Sequence, residues 1–146
     1  MTAFISLLRA HAALTRDLSA KLTLEHGLTL SDFEVLLRLS RAPERRMRRV
    51  DLAEQVLLSA SGVTRLLDGL ERQGLVERAA CSADRRVVYA VLTEAGLERL
   101  RAAAETHFAQ IDAILDARFD ADEMAQLTAL LDRLGVDDTA DCTIPD

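Results

Sequence analysis

Apolar residues recur at helical spacing near the start of the chain. Leucines spaced from Leu7 to Leu22 form one stripe, with Phe4, Leu8 and Ala12 beside it. This pattern predicts an amphipathic helix over 4–26, and Gly27 is a typical residue for ending it.

Capping residues mark the starts of the other predicted helices. Ser, Thr and Asp accept hydrogen bonds from the free N–H groups of a first turn, so each one before an apolar repeat indicates a helix start. The caps that we identify are Ser31 with Glu34 as a capping box, Asp51, Ser59, Thr93 and Asp120. The helices that follow them are predicted over 32–41, 51–57, 60–73, 94–118 and 120–134.

Two short runs rich in Val, Leu and Tyr break the helical pattern. Residues 75–80 and 87–92 read as strands, and the polar, basic segment 81–86 between them reads as a hairpin loop. A short helix, a tight turn, a second helix and then a hairpin is the order of a winged helix-turn-helix. The predicted fold is therefore mainly α, with a small β-hairpin wing.

The composition is that of a globular protein. Nearly half of the 146 residues are apolar, yet no apolar run reaches the ~18–20 residues that span a bilayer. The first residues lack the basic start and apolar stretch of a signal peptide. Cys81 and Cys142 lack metal or redox spacing and are expected to be reduced thiols. We expect a cytoplasmic protein.

The charge is segregated along the chain. The net charge of −6 argues against nucleic acid at first sight. However, residues 41–87 carry ten basic and seven acidic side chains, whereas residues 88–146 carry four basic and thirteen acidic ones. A local basic patch is what DNA binding needs, so the total charge does not exclude it.

The predicted helix 60–73 has the features of a recognition helix. Val63, Leu66, Leu67 and Leu70 repeat at helical spacing and should face the core, which leaves small and hydrogen-bonding side chains on the opposite face. On that face an arginine can reach guanine O6 and N7. The predicted DNA-binding residues of this segment are Ser59, Ala60, Ser61, Gly62, Thr64, Arg65 and Arg72, with Ser59 acting first as a cap and Arg72 meeting phosphate or solvent.

Two further arginine groups are candidates for DNA contact. Arg85 and Arg86 stand at the wing tip, where an arginine can enter the minor groove, and Asp84 would orient one of them. A solvated charged turn is the alternative reading of this tip. Four more arginines lie within 45–49, before the motif, and we predict phosphate contact by one or two of them, with Arg48 and Arg49 as candidates.

Several motifs together resemble the MarR family of bacterial regulators. The resemblance covers about residues 4–134 and rests on DLAE at 51–54, SASGVTRLLDGLE at 59–71, GLVER at 74–78, and DRR at 84–86 followed by LTEAG at 92–96. Each motif alone is weak, but their order and spacing together are specific.

The resemblance implies a homodimer that represses nearby genes. It places a DNA-binding lobe at about 31–92 and dimerisation helices at about 4–26 and 94–134 of a single domain over 1–135, followed by a disordered acidic tail, 136–146. Family members are often released from DNA by a small aromatic acid or an oxidant. The residues expected to pack the dimer include Leu7, Leu100, Phe108, Ile111, Leu127, Leu131 and Leu134.

The chain departs from the peroxide-sensing members of that family, which carry a reactive cysteine near the N-terminus. None precedes Cys81, which lies at the wing; thiolate sensing there stays open as an alternative. His11, His26 and His107 lack metal-ligand spacing. A small-molecule effector is thus the default expectation, with no residue assigned to it.

Other classes of function fit the sequence less well. There is no Gly-rich phosphate loop and no nucleophile with a matching base, so we expect no catalytic site, no metal and no cofactor. A winged helix that serves only protein contact remains the main alternative to a DNA-binding regulator.

Overall fold

A computed structural model describes residues 1–56, 59–80, 87–134 and 144. The described helices and strands follow in this order: α1 (Thr2–His26), α2 (Leu30–Arg41), β1 (Arg46–Arg48), α3 (Arg49–Gln55), α4 (Ala60–Arg72), β2 (Val76–Ala80), β3 (Val88–Leu92), α5 (Glu94–Asp116) and α6 (Ala121–Asp132). The mainly α architecture with a small β wing is confirmed.

The end of α1 and the start of α2 are set by local chemistry. Gly27 adopts φ 68°, and its N–H bonds to carbonyl oxygens of the last turn of α1, so the predicted stop is confirmed. The predicted capping box of Ser31 and Glu34 is wrong. Thr29 and Asp32 form the box instead, since the Asp32 N–H donates to Thr29 Oγ1 at 3.1 Å and the Thr29 N–H to Asp32 Oδ2 at 2.9 Å. Thr29 is the cap because its backbone is extended where the chain leaves the turn at Gly27.

The sheet has one strand more than the sequence predicted. β2 and β3 form the expected antiparallel hairpin, each one residue shorter than predicted. β1 pairs with the other edge of β3, so that the strand order is β1-β3-β2. Its pattern is only three residues long, with Met47 half-buried between two exposed arginines, which is too short for a period-2 signal.

The helices on either side of the motif turn begin differently. The predicted cap by Asp51 is wrong: α3 begins at Arg49, and Asp51 lies inside its first turn. Ser59 does cap α4, because its Oγ accepts the N–H of Gly62 at 3.1 Å. The predicted caps Thr93 and Asp120 are also confirmed at the starts of α5 and α6.

The core joins the helix-turn-helix motif to α1 and α5. It is made largely of leucine, and α2 contributes Phe33, Val35, Leu36 and Leu39 to it. The fully buried large side chains are Leu22, Leu28, Val35, Leu36, Leu39, Leu52, Val63, Leu70 and Leu100. Leu100 was expected at a subunit contact, but it lies in the core of its own chain.

The start of α5 is pressed against the turn before β2. A Cβ built on Gly96 would lie 2.1 Å from the Leu75 carbonyl oxygen, so only glycine fits there. The Thr93 hydroxyl donates to the Gly74 carbonyl at 2.7 Å, which ties the same two segments together. This contact fixes where α5 leaves the wing.

The outer part of the molecule is formed by α6 and the first half of α1. None of the residues of α6 is buried, and Leu130, Leu131 and Leu134 are exposed, as are Phe4 and Leu8 of α1. A 12-residue helix without packing is marginal in water. No helix among the described residues is long and apolar enough to cross a membrane.

His107 provides a pH-dependent element in the packing of α5. It is buried, and its ring centroid lies 4.8 Å from that of Phe33 and 5.8 Å from that of Phe108. Burial lowers the pKa of His107 below the ordinary 6.5, because the charged imidazolium loses its hydration. Burial in the folded chain therefore favours the neutral form of this histidine.

We predict that His107 makes the fold less stable in mild acid. As the pH falls through 6.5, the unfolded chain takes up a proton at this histidine more readily than the folded chain does. The free energy of unfolding should then fall with decreasing pH, by at most about 1.4 kcal/mol per pH unit. Thermal melts between pH 7.5 and 5 should show a smaller loss for His107→Phe. The exposed His11→Gln is the matched control, and an unchanged pH dependence in His107→Phe would contradict the prediction.

Candidate nucleic-acid interface

Helix α4 presents one apolar and one polar face. Val63, Leu67 and Leu70 are at most 4% exposed, and Leu66 packs against the core beside them. Ser61 and Arg65 are exposed on the other side. The predicted orientation of this helix is thus confirmed, and its polar face is available near its N-terminal end.

The first turn of α4 is built for close approach to a ligand. Ser59 uses its hydroxyl for the cap and lies 3.2 Å from the Ser61 hydroxyl, and Gly62 adds no side chain. The free N–H groups of this turn add a partial positive charge, which favours a phosphate. A slim polar helix end of this kind can enter a groove of DNA.

The other predicted residues of α4 differ in their surroundings. Arg65 is exposed and makes no ion pair to any described residue. Arg72 donates through Nε to the Asp68 carbonyl at 3.1 Å, so it lies along its own helix. Thr64 lines a cavity of about 100 Å³ between α4 and the sheet. Arg65 is therefore the arginine of α4 best placed to reach outward.

The arginines before α3 are mostly engaged with acidic side chains. Arg48 donates from Nε and a terminal nitrogen to both oxygens of Asp51, at 2.7 and 2.8 Å, which holds the pKa of its guanidinium above the ordinary value. Arg45 pairs with Glu94 at 2.6 Å and Arg46 with Glu44 at 2.7 Å.

Arg49 is the exception among these four arginines. It is exposed and makes no ion pair to any residue that the structure describes. Arg49 and Arg65 are thus two positive charges near the motif that no described acid neutralises. The sequence could not separate Arg49 from Arg48, because the distinction depends on which arginine Asp51 reaches.

One arginine of the wing was missed by the sequence analysis. Arg78 of β2 makes ion pairs with Asp68 and Glu71 of α4, the latter at 3.0 Å from Nε. The i, i+3 spacing of the two acids was visible in the sequence, but their partner on another element was not. Asp84, Arg85, Arg86 and Cys81 lie outside the described residues, as do residues 136–143, 145 and 146 of the predicted tail.

The residues expected at the dimer contact fall into three groups. Leu7, Leu131 and Leu134 are 42%, 38% and 63% exposed, and Ile111 and Leu127 are half-buried. Phe108 packs against Phe33, with ring centroids 6.4 Å apart. Leu100 is in the core, as described above.

The three histidines have different surroundings. His26 hydrogen-bonds through Nε2 with the Thr106 hydroxyl at 2.8 Å, His11 is exposed, and His107 is buried. Among the described residues, no group of three or more His, Cys, Asp or Glu side chains could hold a metal ion.

Comparisons with known proteins agree on one family. A family model described as MarR family matches residues 26–87. The transcriptional repressor YetL of Bacillus subtilis (strain 168) is 32% identical over 130 residues, which cover 82% of this chain and 78% of the repressor.

Two solved structures have the same fold. AbsC, a MarR family transcriptional regulator from Streptomyces coelicolor, is 33% identical with a TM-score of 0.80, over 92% of this chain and 90% of that one. Sco3205, a MarR family regulator from the same organism solved in complex with DNA, is 25% identical with a TM-score of 0.82, over 92% and 84% of the two chains.

The ion pair of Arg48 leads to a prediction about phosphate contacts. Arg49→Ala should weaken DNA binding and lower the slope of log affinity against log salt by about one, because one phosphate contact is lost. Arg48→Ala should have a smaller effect on both, since Asp51 already neutralises that guanidinium. Fluorescence anisotropy over a salt series measures both quantities, and equal effects of the two substitutions would contradict the assignment.

Proposed function

The chain belongs to the MarR family of transcriptional regulators, and we propose that it acts as a homodimeric repressor of a pseudo-palindromic operator. It is a DNA-binding regulator and not an enzyme. The observation that carries the proposal is the polar N-terminal face of α4, where Ser61 and Arg65 are exposed while the opposite face is buried.

Base recognition is assigned to the N-terminal half of α4. Arg65 would donate two hydrogen bonds to a guanine edge in the major groove, and Ser61 and Thr64 would select neighbouring bases. Arg49 would hold the motif against the phosphate backbone, with Arg48 in a lesser role. Arg86 would read the minor groove from the wing, with Arg85 and Asp84 beside it.

The homodimer is supported by the surface that α6 and α1 leave uncovered. Helix α6 has no buried residue and exposes several leucines. An exposed apolar patch of this kind marks a surface that another protein surface covers. A second copy of the chain offers the same surface, as a two-fold dimer requires. Two copies would place their recognition helices on half-sites about 10 bp apart.

A small-molecule effector, aromatic acids among the candidates, would release the repressor. It would bind more tightly to the conformation in which the two lobes are wrongly spaced for the operator, and so shift the population toward it. A repressor of this kind would act in the cytoplasm of a bacterial cell. No residue is assigned to the effector.

The base-reading role of Arg65 is tested on the DNA upstream of the protein's own gene. In a gel-shift assay at low salt the unmodified chain should bind, and Arg65→Ala should bind about 5- to 150-fold more weakly, which corresponds to the loss of about 1–3 kcal/mol. Arg86→Ala should also bind more weakly. Arg118→Ala is the control, since that arginine bonds to the Ile114 carbonyl of α5. Binding of Arg65→Ala as tight as that of the unmodified chain would refute the assignment, and capture of a protein but of no DNA would favour an interaction module.

The dimer is tested by charging its expected surface. The unmodified chain should sediment at twice its 16.1 kDa mass. A Leu131→Glu, Leu134→Glu double variant should sediment as a monomer and lose operator binding, because buried unpaired carboxylates oppose association. Val50→Glu, which charges an exposed apolar residue of α3, is the matched control for mass and should remain dimeric. A monomeric unmodified chain would contradict the proposal.

A further inference from the structure

We propose that Arg78 is a positioning residue for DNA recognition. Its guanidinium joins the wing to the recognition helix and so sets the angle at which both meet the duplex. This inference rests on the proposed function, since it assumes that α4 and the wing bind the same operator half-site.

Arg78 bridges two carboxylates of one helix face. It projects from β2 and pairs with Asp68 through a terminal nitrogen and with Glu71 through Nε, the second at 3.0 Å. Asp68 and Glu71 are three residues apart on α4, so one planar guanidinium can hold both. A lysine at this position carries a compact ammonium group, which would not hold both carboxylates in a fixed geometry.

The packing beneath this cluster is incomplete. A cavity of about 100 Å³ lies between α4 and the sheet, and Thr64, Leu67, Val76 and Arg78 are among the residues that line it. Close-packed side chains hold two elements at one angle, but a gap does not. The ion pairs lie at the edge of this cavity and add a polar contact between α4 and β2 to the apolar one made by the buried Leu67 and Val76.

The angle matters because α4 carries the proposed base-reading residues and β2 leads into the predicted wing tip. Ser61 and Arg65 lie on the N-terminal half of α4, and β2 runs from Val76 to Ala80 directly into the wing segment. If the helix is seated in the major groove, a change of this angle moves the wing away from the backbone and the minor groove. A preorganised pair of elements loses less free energy on binding.

Arg78 acts through these acids and not by touching DNA. It shares its single positive charge with two negative ones, so the cluster as a whole is acidic and phosphate is repelled from it. The three side chains are between 41% and 46% exposed, and pairs with that exposure contribute little to folding. The effect of breaking the cluster should therefore appear in operator affinity and not in the melting temperature.

The direction in which one substitution changes the operator affinity separates this role from a purely electrostatic one. Asp68→Asn removes a negative charge near DNA, which by charge alone strengthens binding. The positioning role predicts the opposite, an operator affinity about three- to tenfold weaker, since Arg78 loses one of its two anchors. Glu77→Gln is the matched control, because Glu77 is an exposed acid on the same strand as Arg78.

The full experiment is a double-mutant cycle measured by fluorescence anisotropy over a salt series. Arg78→Gln should bind about three- to tenfold more weakly, its salt slope should stay unchanged, and Arg78→Gln with Asp68→Asn should lose little more. Melting curves should show that each variant folds like the unmodified chain. Operator binding by Asp68→Asn that is as tight as or tighter than that of the unmodified chain overturns the proposal. So does a salt slope lowered by about one in Arg78→Gln, because this would indicate direct phosphate contact. Failure of the unmodified chain to bind the operator would instead refute the proposed function.

Discussion

The burial of one face of α4 determines which side chains of this protein can reach DNA. Val63, Leu67 and Leu70 are held in a core that also contains the leucines of α2 and α5, and no rotation of α4 is possible without exposing them. Ser61 and Arg65 face outward as a direct consequence. Hydrophobic burial cannot itself recognise DNA bases, but it determines the direction in which the hydrogen-bonding side chains of α4 point.

A second constraint acts on the charges around that helix. Several of the arginines near the motif are paired: Arg45 with Glu94, Arg46 with Glu44, and Arg48 with Asp51. The pairing removes much of the nonspecific attraction to phosphate that ten basic residues would otherwise give. Arg49 and Arg65 remain as two cations beside the motif that pair with no described acid, which favours a protein whose affinity depends on few, well-placed contacts.

The sequence predicted the elements better than the contacts between them. Periodicity placed α1, α4 and α5 and found the β2–β3 hairpin, because those patterns run over enough residues to be distinct. It misplaced the cap of α2 by two residues, because Thr29–Asp32 and Ser31–Glu34 fit the same capping rule and only the turn at Gly27 decides between them. It missed β1, because this strand forms only by pairing with β3, which lies more than 40 residues later in the chain.

The candidate site shows the same division. Arg65 and Ser61 were predicted from their place on one helix, and the structure places them on its exposed face. Other contacts depend on which side chains of different elements meet, and the spacing of residues in the sequence does not predict that. Examples are the ion pair of Arg48 with Asp51 and those of Arg78 with Asp68 and Glu71. If Arg78 positions the wing, the helix angle of a winged helix depends in part on residues that carry no DNA-binding signature. In a protein of this design, side chains that never touch the operator can decide how well it is read.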